Sequence, residues 1–259
     1  MNPNTKKMPL VFIGHGSPMN AVADNHFTRA LKSMGDSLPQ PKSILMISAH
    51  WVSGGTLLQS SEQPKTIHDF GGFPKELYEI QYPAHTSPDL LHTLSVKRIG
   101  IKTEEWGLDH GAWSVLRHMY PEANIPVVPM SLDRALSFEQ HYDVGKRLDY
   151  LREQGVLIIA SGNIVHNLKL MDWSDKAPVF DWAQEFDLRV KNSIEKKDFE
   201  SLINILQTDP ALTKLAHPSY EHYIPLLYIL GASDSEDRMH TVYEGMQNAS
   251  ISMRSFILG

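Results

Sequence analysis

Three short, uninterrupted apolar runs, Leu10–Ile13, Ile44–Ile47 and Leu157–Ala160, restrict the fold of this chain more than any other feature. Each stops abruptly at small or polar residues: Gly14-His15-Gly16-Ser17-Pro18, Ser48-Ala49-His50 and Ser161-Gly162-Asn163. Periodicity cannot separate a buried strand from a buried helical turn over so few residues, but brevity and the Gly/Pro boundaries favour strands. Amphipathic helical patterns lie between them. Alternation of this kind predicts an α/β fold, a single domain with a central, largely parallel sheet flanked by helices.

The helical patterns carry their own boundaries. Phe27, Ala30, Leu31 and Met34 recur at helical spacing after Asp24 or Asn25, either of which can cap. Ser87-Pro88 starts a second helix with proline at its first position. Ser137 and Gln140 form a capping box for a third, which is expected to run on to Gly155. Phe180–Ile194 reads as a long helix and Ser219–Leu230 as another, with His222 near its start. Further strands are expected at Thr56–Leu58 and Ile125–Leu132, and Met239–Glu244 and Ser250–Leu258 could close the sheet. Gln63–Pro83 is irregular yet rich in aromatic residues, which marks a functional wall or lid. Residues 1–8 are polar and read as a loosely held N-terminus of a catalytic domain spanning 1–259.

Composition removes several classes. The net charge of −6 gives no electrostatic reason to expect nucleic acid. With no cysteine, any metal must be held by His, Asp or Glu. No apolar run approaches the ~20 residues of a membrane span, and no signal peptide is evident. The default expectation is a soluble, cytoplasmic monomer. Phosphate-loop, G-x-S-x-G and H-E-x-x-H patterns are all missing.

Histidine is the residue type left to carry chemistry. His26, His85, His92, His118, His141 and His240 lie on predicted helices or polar loops and read as solvated or incidental. His15 and His50 differ, because each follows an apolar strand at the end where open α/β sheets place ligands. Their separation suits one βαβ unit, which would bring the two strand ends together. Neutral imidazoles so placed are natural ligands for Zn²⁺ or Fe²⁺. A third ligand could be Glu221, giving a 2-His-1-carboxylate triad, or His222, giving a three-His site. His166 and His110 are candidates for proton transfer.

The blocks GHGSPMN, SAHW, TIHDFGGFP, WGLDHGAW, SGNIVHN and HYIPLLY occur in one order. In that order and spacing the chain resembles the bacterial and plant DOPA extradiol dioxygenases, from about Pro9 to the C-terminus. These are class III extradiol enzymes, related to the protocatechuate 4,5-dioxygenase β subunit. The resemblance implies metal ligands at His15, His50 and His222, with His166 as acid/base and close enough to count as a fourth metal contact. It implies that His110 helps to hold substrate or O₂. Ser17, His68, Asp69 and Phe70 are the residues expected to contact substrate, the last three from a lid at Ile67–Phe73.

The activity implied is cleavage of a catechol such as L-DOPA by O₂, next to the diol, to a muconate semialdehyde. Fe²⁺ would serve that reaction, whereas Zn²⁺ would fit the ligands but is redox-inert. Two other readings use the same residues: a zinc-dependent hydrolase, and a non-catalytic homologue that binds metal or ligand.

Overall fold

The computed structural model describes residues 7–174 and 177–259. Its main sheet is built from β1 (Leu10–Gly14), β2 (Ser43–Ser53), β3 (Leu57–Gln59), β4 (Ile101–Thr103), β5 (Val127–Asp133), β6 (Val156–Gly162), β7 (Met239–Tyr243) and a last strand. Between β7 and that strand, β8 (Met246–Gln247) and β9 (Ile251–Ser252) form a small separate hairpin, and β10 (Ser255–Leu258) follows. The order across the sheet is β4-β3-β5-β2-β6-β1-β10-β7. The four central strands β5, β2, β6 and β1 are parallel, while β10 and β7 add an antiparallel edge.

The apolar runs are continuous because both faces of the central strands are buried. Leu10 and Phe12, Leu45 and Ile47, and Ile158 and Ala160 point to one core. Val11 and Ile13, Ile44 and Met46, and Leu157 and Ile159 point to the other. The helices His26–Ser37 and His110–Met119 cover the second face through Leu31, Met34, Trp113 and Leu116. The helices Pro88–Val96, Phe138–Lys146, Asp181–Glu195 and Ile224–Ala232 cover the first. Ile224–Ala232 is apolar all round, as a helix sandwiched between a sheet and another helix must be. Gly231 lets it cross Phe138–Lys146 closely, since a Cβ there would lie 2.1 Å from the Tyr142 carbonyl oxygen.

Several boundaries differ from the sequence reading. β1 and β2 are not neighbours, because β6 lies between them, so His15 and His50 do not belong to one simple βαβ pair. The helix expected to reach Gly155 breaks after Lys146 and resumes briefly at Tyr150–Glu153. Of the N-terminus expected to be loose, residues 1–6 lie outside the described residues. Met8 is held, since it is buried and its amide donates to the Arg152 carbonyl. Lys7 pairs with Asp149 and Asp234. Arg152 itself is buried, bidentate to Asp237 at 2.7 Å, and donates to the Met8 and Ala232 carbonyls. No helix among the described residues is long and apolar enough to cross a membrane.

Two histidines are fully buried in the packing of the first face. His141 faces the Tyr228 hydroxyl at 2.9 Å and so is not solvated, and His217 donates from Nε2 to the Ile164 carbonyl at 2.7 Å. Burial lowers both pKa values to about 4. An unfolded histidine titrates near 6.5, so the unfolded chain binds more protons below that value and stability falls as pH drops from about 6.5 towards 4. Each ring contributes roughly 2–3 kcal/mol to that loss. The urea midpoint of the metal-free protein is expected to fall steeply across this window, and His141→Gln to make the fall shallower.

Candidate active site

The sheet order builds the site. His15 follows β1, and the neighbouring strand β6 supplies Ser161, whose hydroxyl lies 2.9 Å from His15 Nδ1. His50 sits within β2, where the register against β5 shifts between Ile47 and Val52. Such an irregularity re-aims side chains, and it turns His50 towards His15, with their Nε2 atoms 3.1 Å apart. His222 comes from the turn before Ile224–Ala232 rather than from the helix itself, which begins with Pro225 in its first turn. The His222 carbonyl accepts the Asn163 amide at 2.9 Å. A Cβ on Gly162 would stand 2.3 Å from the same carbonyl. Gly162→Ala is therefore expected to displace His222 and weaken metal uptake, which metal titration would read directly.

One ring nitrogen from each of His15, His50 and His222 falls within a common 4.8 Å. Glu221 belongs to neither of the metal-capable clusters among the described residues, so the histidine of this adjacent pair joins the site. Burial pushes His15 and His222 well below the usual imidazole range, keeping them neutral. Burial acts the same way on His50, but the Asp69 and Asp109 carboxylates outweigh it and raise its pKa. The His222 Nε2 is buried with no hydrogen-bond partner. An unpartnered buried ring nitrogen is costly, and the His222 ring lies against those of His15 and His50, with centroids 5.2 and 4.9 Å away. That donor set suits a divalent transition metal.

Asp69 ties the cluster together. Its Oδ2 lies 3.1 Å from His50 Nδ1, and its Oδ1 lies 3.0 Å from His110 Nδ1 and accepts the His110 amide at 2.8 Å. Burial opposes ionisation, but the two imidazoles hold its carboxyl well below the usual range. His110 opens its helix, and Asp109 caps it by accepting the Ala112 amide and the Ser48 hydroxyl. Asp109 and His110 thus serve different partners. His166 bridges to Ile251 through its backbone, and its ring stacks on His222 with centroids 3.5 Å apart. Burial lowers its pKa to about 3.

These groups open onto a cavity of about 510 Å³, also lined by Ser17, Asp69 and Phe70. His68 is not brought to it. Its ring packs against Trp113 and Nε2 lies 3.1 Å from the Ile80 carbonyl oxygen, which turns the side chain into the wall. Sequence reasoning overlooked Ser161 and the wall formed by Leu168, Met171 and Trp173. Ser161 follows from the register Ile13↔Ser161, which needs the strand order. The wall had a local signal in its large apolar side chains outside any periodic pattern.

Comparison with known proteins places this geometry. The chain is 40% identical to the 4,5-DOPA dioxygenase extradiol of Escherichia coli K12, across 99% of this chain and 96% of that protein. It is 34% identical to the protein of the same name from Beta vulgaris, across 95% and 94%. A crystal structure of an uncharacterised Escherichia coli K12 protein superposes with a TM-score of 0.85 at 37% identity, covering 98% of this chain and all of that one. Residues 9–254 match the family described as the catalytic LigB subunit of aromatic ring-opening dioxygenase. With a match over nearly its whole length, the chain belongs to the LigB family of aromatic ring-opening dioxygenases.

Proposed function

We propose that this enzyme opens a catechol, such as L-DOPA, next to its diol with both atoms of O₂, giving a muconate semialdehyde, and that Fe²⁺ is held by His15, His50 and His222. The observation that carries this reading is the convergence of one ring nitrogen from each of His15, His50 and His222, with the His222 Nε2 buried and unpartnered, beside two further cavity histidines. Bound iron would supply Lewis acidity to the two catechol oxygens and an electron path between ring and O₂, which redox-inert zinc lacks.

The chain's own groups do the rest. With Nδ1–H given to Asp69, His50 turns Nε2 to the cluster and His110 keeps Nε2 free for the bound ring or oxygen. His166 is neutral at neutral pH, so a ring nitrogen can take a proton from a catechol hydroxyl and later return it. Phe70 stands edge-on to His110 and covers it from the lid side. His166→Gln is expected to lower kcat by about 10²–10⁴ while metal content stays at one per chain. Asp69→Asn is expected to weaken metal binding by roughly 10- to 100-fold, read by competition with a chromophoric chelator.

The deciding experiment is anaerobic reconstitution with Fe²⁺ or Zn²⁺, followed by L-DOPA and air, with O₂ uptake and yellow product followed together. Turnover with iron alone supports the proposal. No uptake with iron bound, across several catechols, would overturn it. Zinc-supported hydrolysis of an ester or amide without O₂ would then put a hydrolase in its place, and tight ligand binding without turnover a binding protein.

A further inference from the structure

The cavity lining is of two kinds: histidines, of which His15, His110 and His222 are buried, and the apolar side chains of Phe70, Phe73, Leu168, Met171 and Trp173. Trp173 is 75% exposed and Leu168 58% exposed, although both line the cavity. Large apolar side chains gathered at an opening to water mark a surface that something apolar covers.

Their placement is fixed by the backbone. The segment Leu168–Ser174 is laid across the turn between β8 and β9. The Asp172 amide donates to the Asn248 carbonyl, and the Asn248 side-chain amide donates back to the Asp172 carbonyl, both at 3.1 Å. The Asn167 amide donates to the Ser250 carbonyl, and the Ser250 hydroxyl to that of Asn167. That turn holds Asn248 and Ala249 at φ of 53° and 63°, left-handed values, with the Asn248 carbonyl accepting from Asp172 and the Ala249 carbonyl from Phe180. Leu168 and Trp173 therefore stand at the mouth on an anchored segment.

The polar side chains other than histidine that line the cavity are already engaged. The Ser17 hydroxyl accepts the Met19 amide, the Asn248 amide is held by Asp172, and the Asp69 carboxylate is shared by two imidazoles. Among the described residues no lysine or arginine lines the cavity. A carboxylate brought here would lose water and find no cation, which is costly.

We infer that the exposed, apolar part of this cavity takes an uncharged ring substituent, so that a catechol carrying an alkyl, alkenyl or aryl group is a better substrate than L-DOPA or any other catechol carrying a carboxylate, which is turned over more slowly. The inference rests on the ring-opening reading for its diol end, and on Phe70, Phe73, Leu168, Met171 and Trp173 for the rest.

A matched pair tests it: 4-propylcatechol against 3-(3,4-dihydroxyphenyl)propionate, which has a similar reach but ends in a carboxylate. With the iron enzyme in air, kcat/KM is expected to favour the propyl compound by about tenfold or more. In Trp173→Ala that ratio is expected to fall towards one through KM. Anaerobic calorimetric titration of the Zn²⁺-loaded protein reads the same order as affinity, without turnover. Equal values, a preference for the carboxylate, or a ratio unchanged in Trp173→Ala overturns the inference, and ring opening then stands. The expected order in affinity with no ring opening of any catechol instead leaves the apolar subsite intact and removes the reaction.

Discussion

His222→Ala is expected to empty the metal site and to lower ring-opening turnover by roughly 10³-fold or more, since a bound metal supplies several kcal/mol of catalysis and each 1.36 kcal/mol is tenfold. Only His15 and His50 of the three-imidazole cluster would remain, and the ring stacked on His166 would be gone. The same substitution carries an unusual expectation for stability. In the metal-free wild-type chain the His222 Nε2 is buried without a partner, so truncating the ring removes an unsatisfied acceptor as well as packing. Metal-free His222→Ala should therefore melt no more than slightly below the metal-free wild type. Added Fe²⁺ should raise the wild-type midpoint and leave the variant where it was. Calorimetry with and without metal, beside O₂ uptake, checks both halves. A variant that still binds iron tightly would exclude His222 as a ligand.

Arg152→Ala is expected to cost about 3–5 kcal/mol, because it leaves the Asp237 carboxylate buried and unpaired. It also releases the Met8 and Ala232 carbonyls, which join the start of β1 to the end of the helix Ile224–Ala232. The charge itself need not be what stabilises. Replacing both partners by apolar residues, as in Arg152→Met with Asp237→Leu, is expected to recover most of the loss. Urea unfolding of the single and double variants separates a missing charge pair from missing volume.

What the sequence revealed and what it hid follow from the range of the interactions concerned. The strands were readable because burial on both faces makes Leu10–Ile13, Ile44–Ile47 and Leu157–Ala160 continuously apolar. Helix starts at Asn25, Ser87 and Ser137 were readable because capping is settled within a few residues. The lateral order of strands was not, since it depends on which strand fits between which helices. The placement of β6 between β1 and β2 therefore went unread. The sequence places His222 in a helix Ser219–Leu230 because the apolar stretch Tyr223–Leu230 gives no clear start, whereas Pro225 in the first helical turn leaves His222 in the preceding turn. In the lid, His68 and Asp69 are adjacent and looked equivalent. Only three-dimensional packing turns one towards Ile80 and the other towards two imidazoles.

The position of β1 has a consequence for how the protein comes to exist. It pairs with β6 on one side and with β10 on the other, partners 146 and 241 residues away at His15–Ser161 and Gly14–Ser255. Contacts so distant along the chain form slowly, because a long loop must close before any of them is gained. A nascent chain ending before β6 holds His15 and His50 but has no strand to set between them. It also presents β1 as an unpaired apolar strand, which is an aggregation hazard. The histidines delivered first by the ribosome are thus assembled last. Synthesis rate and chaperone supply should therefore affect the yield of folded enzyme.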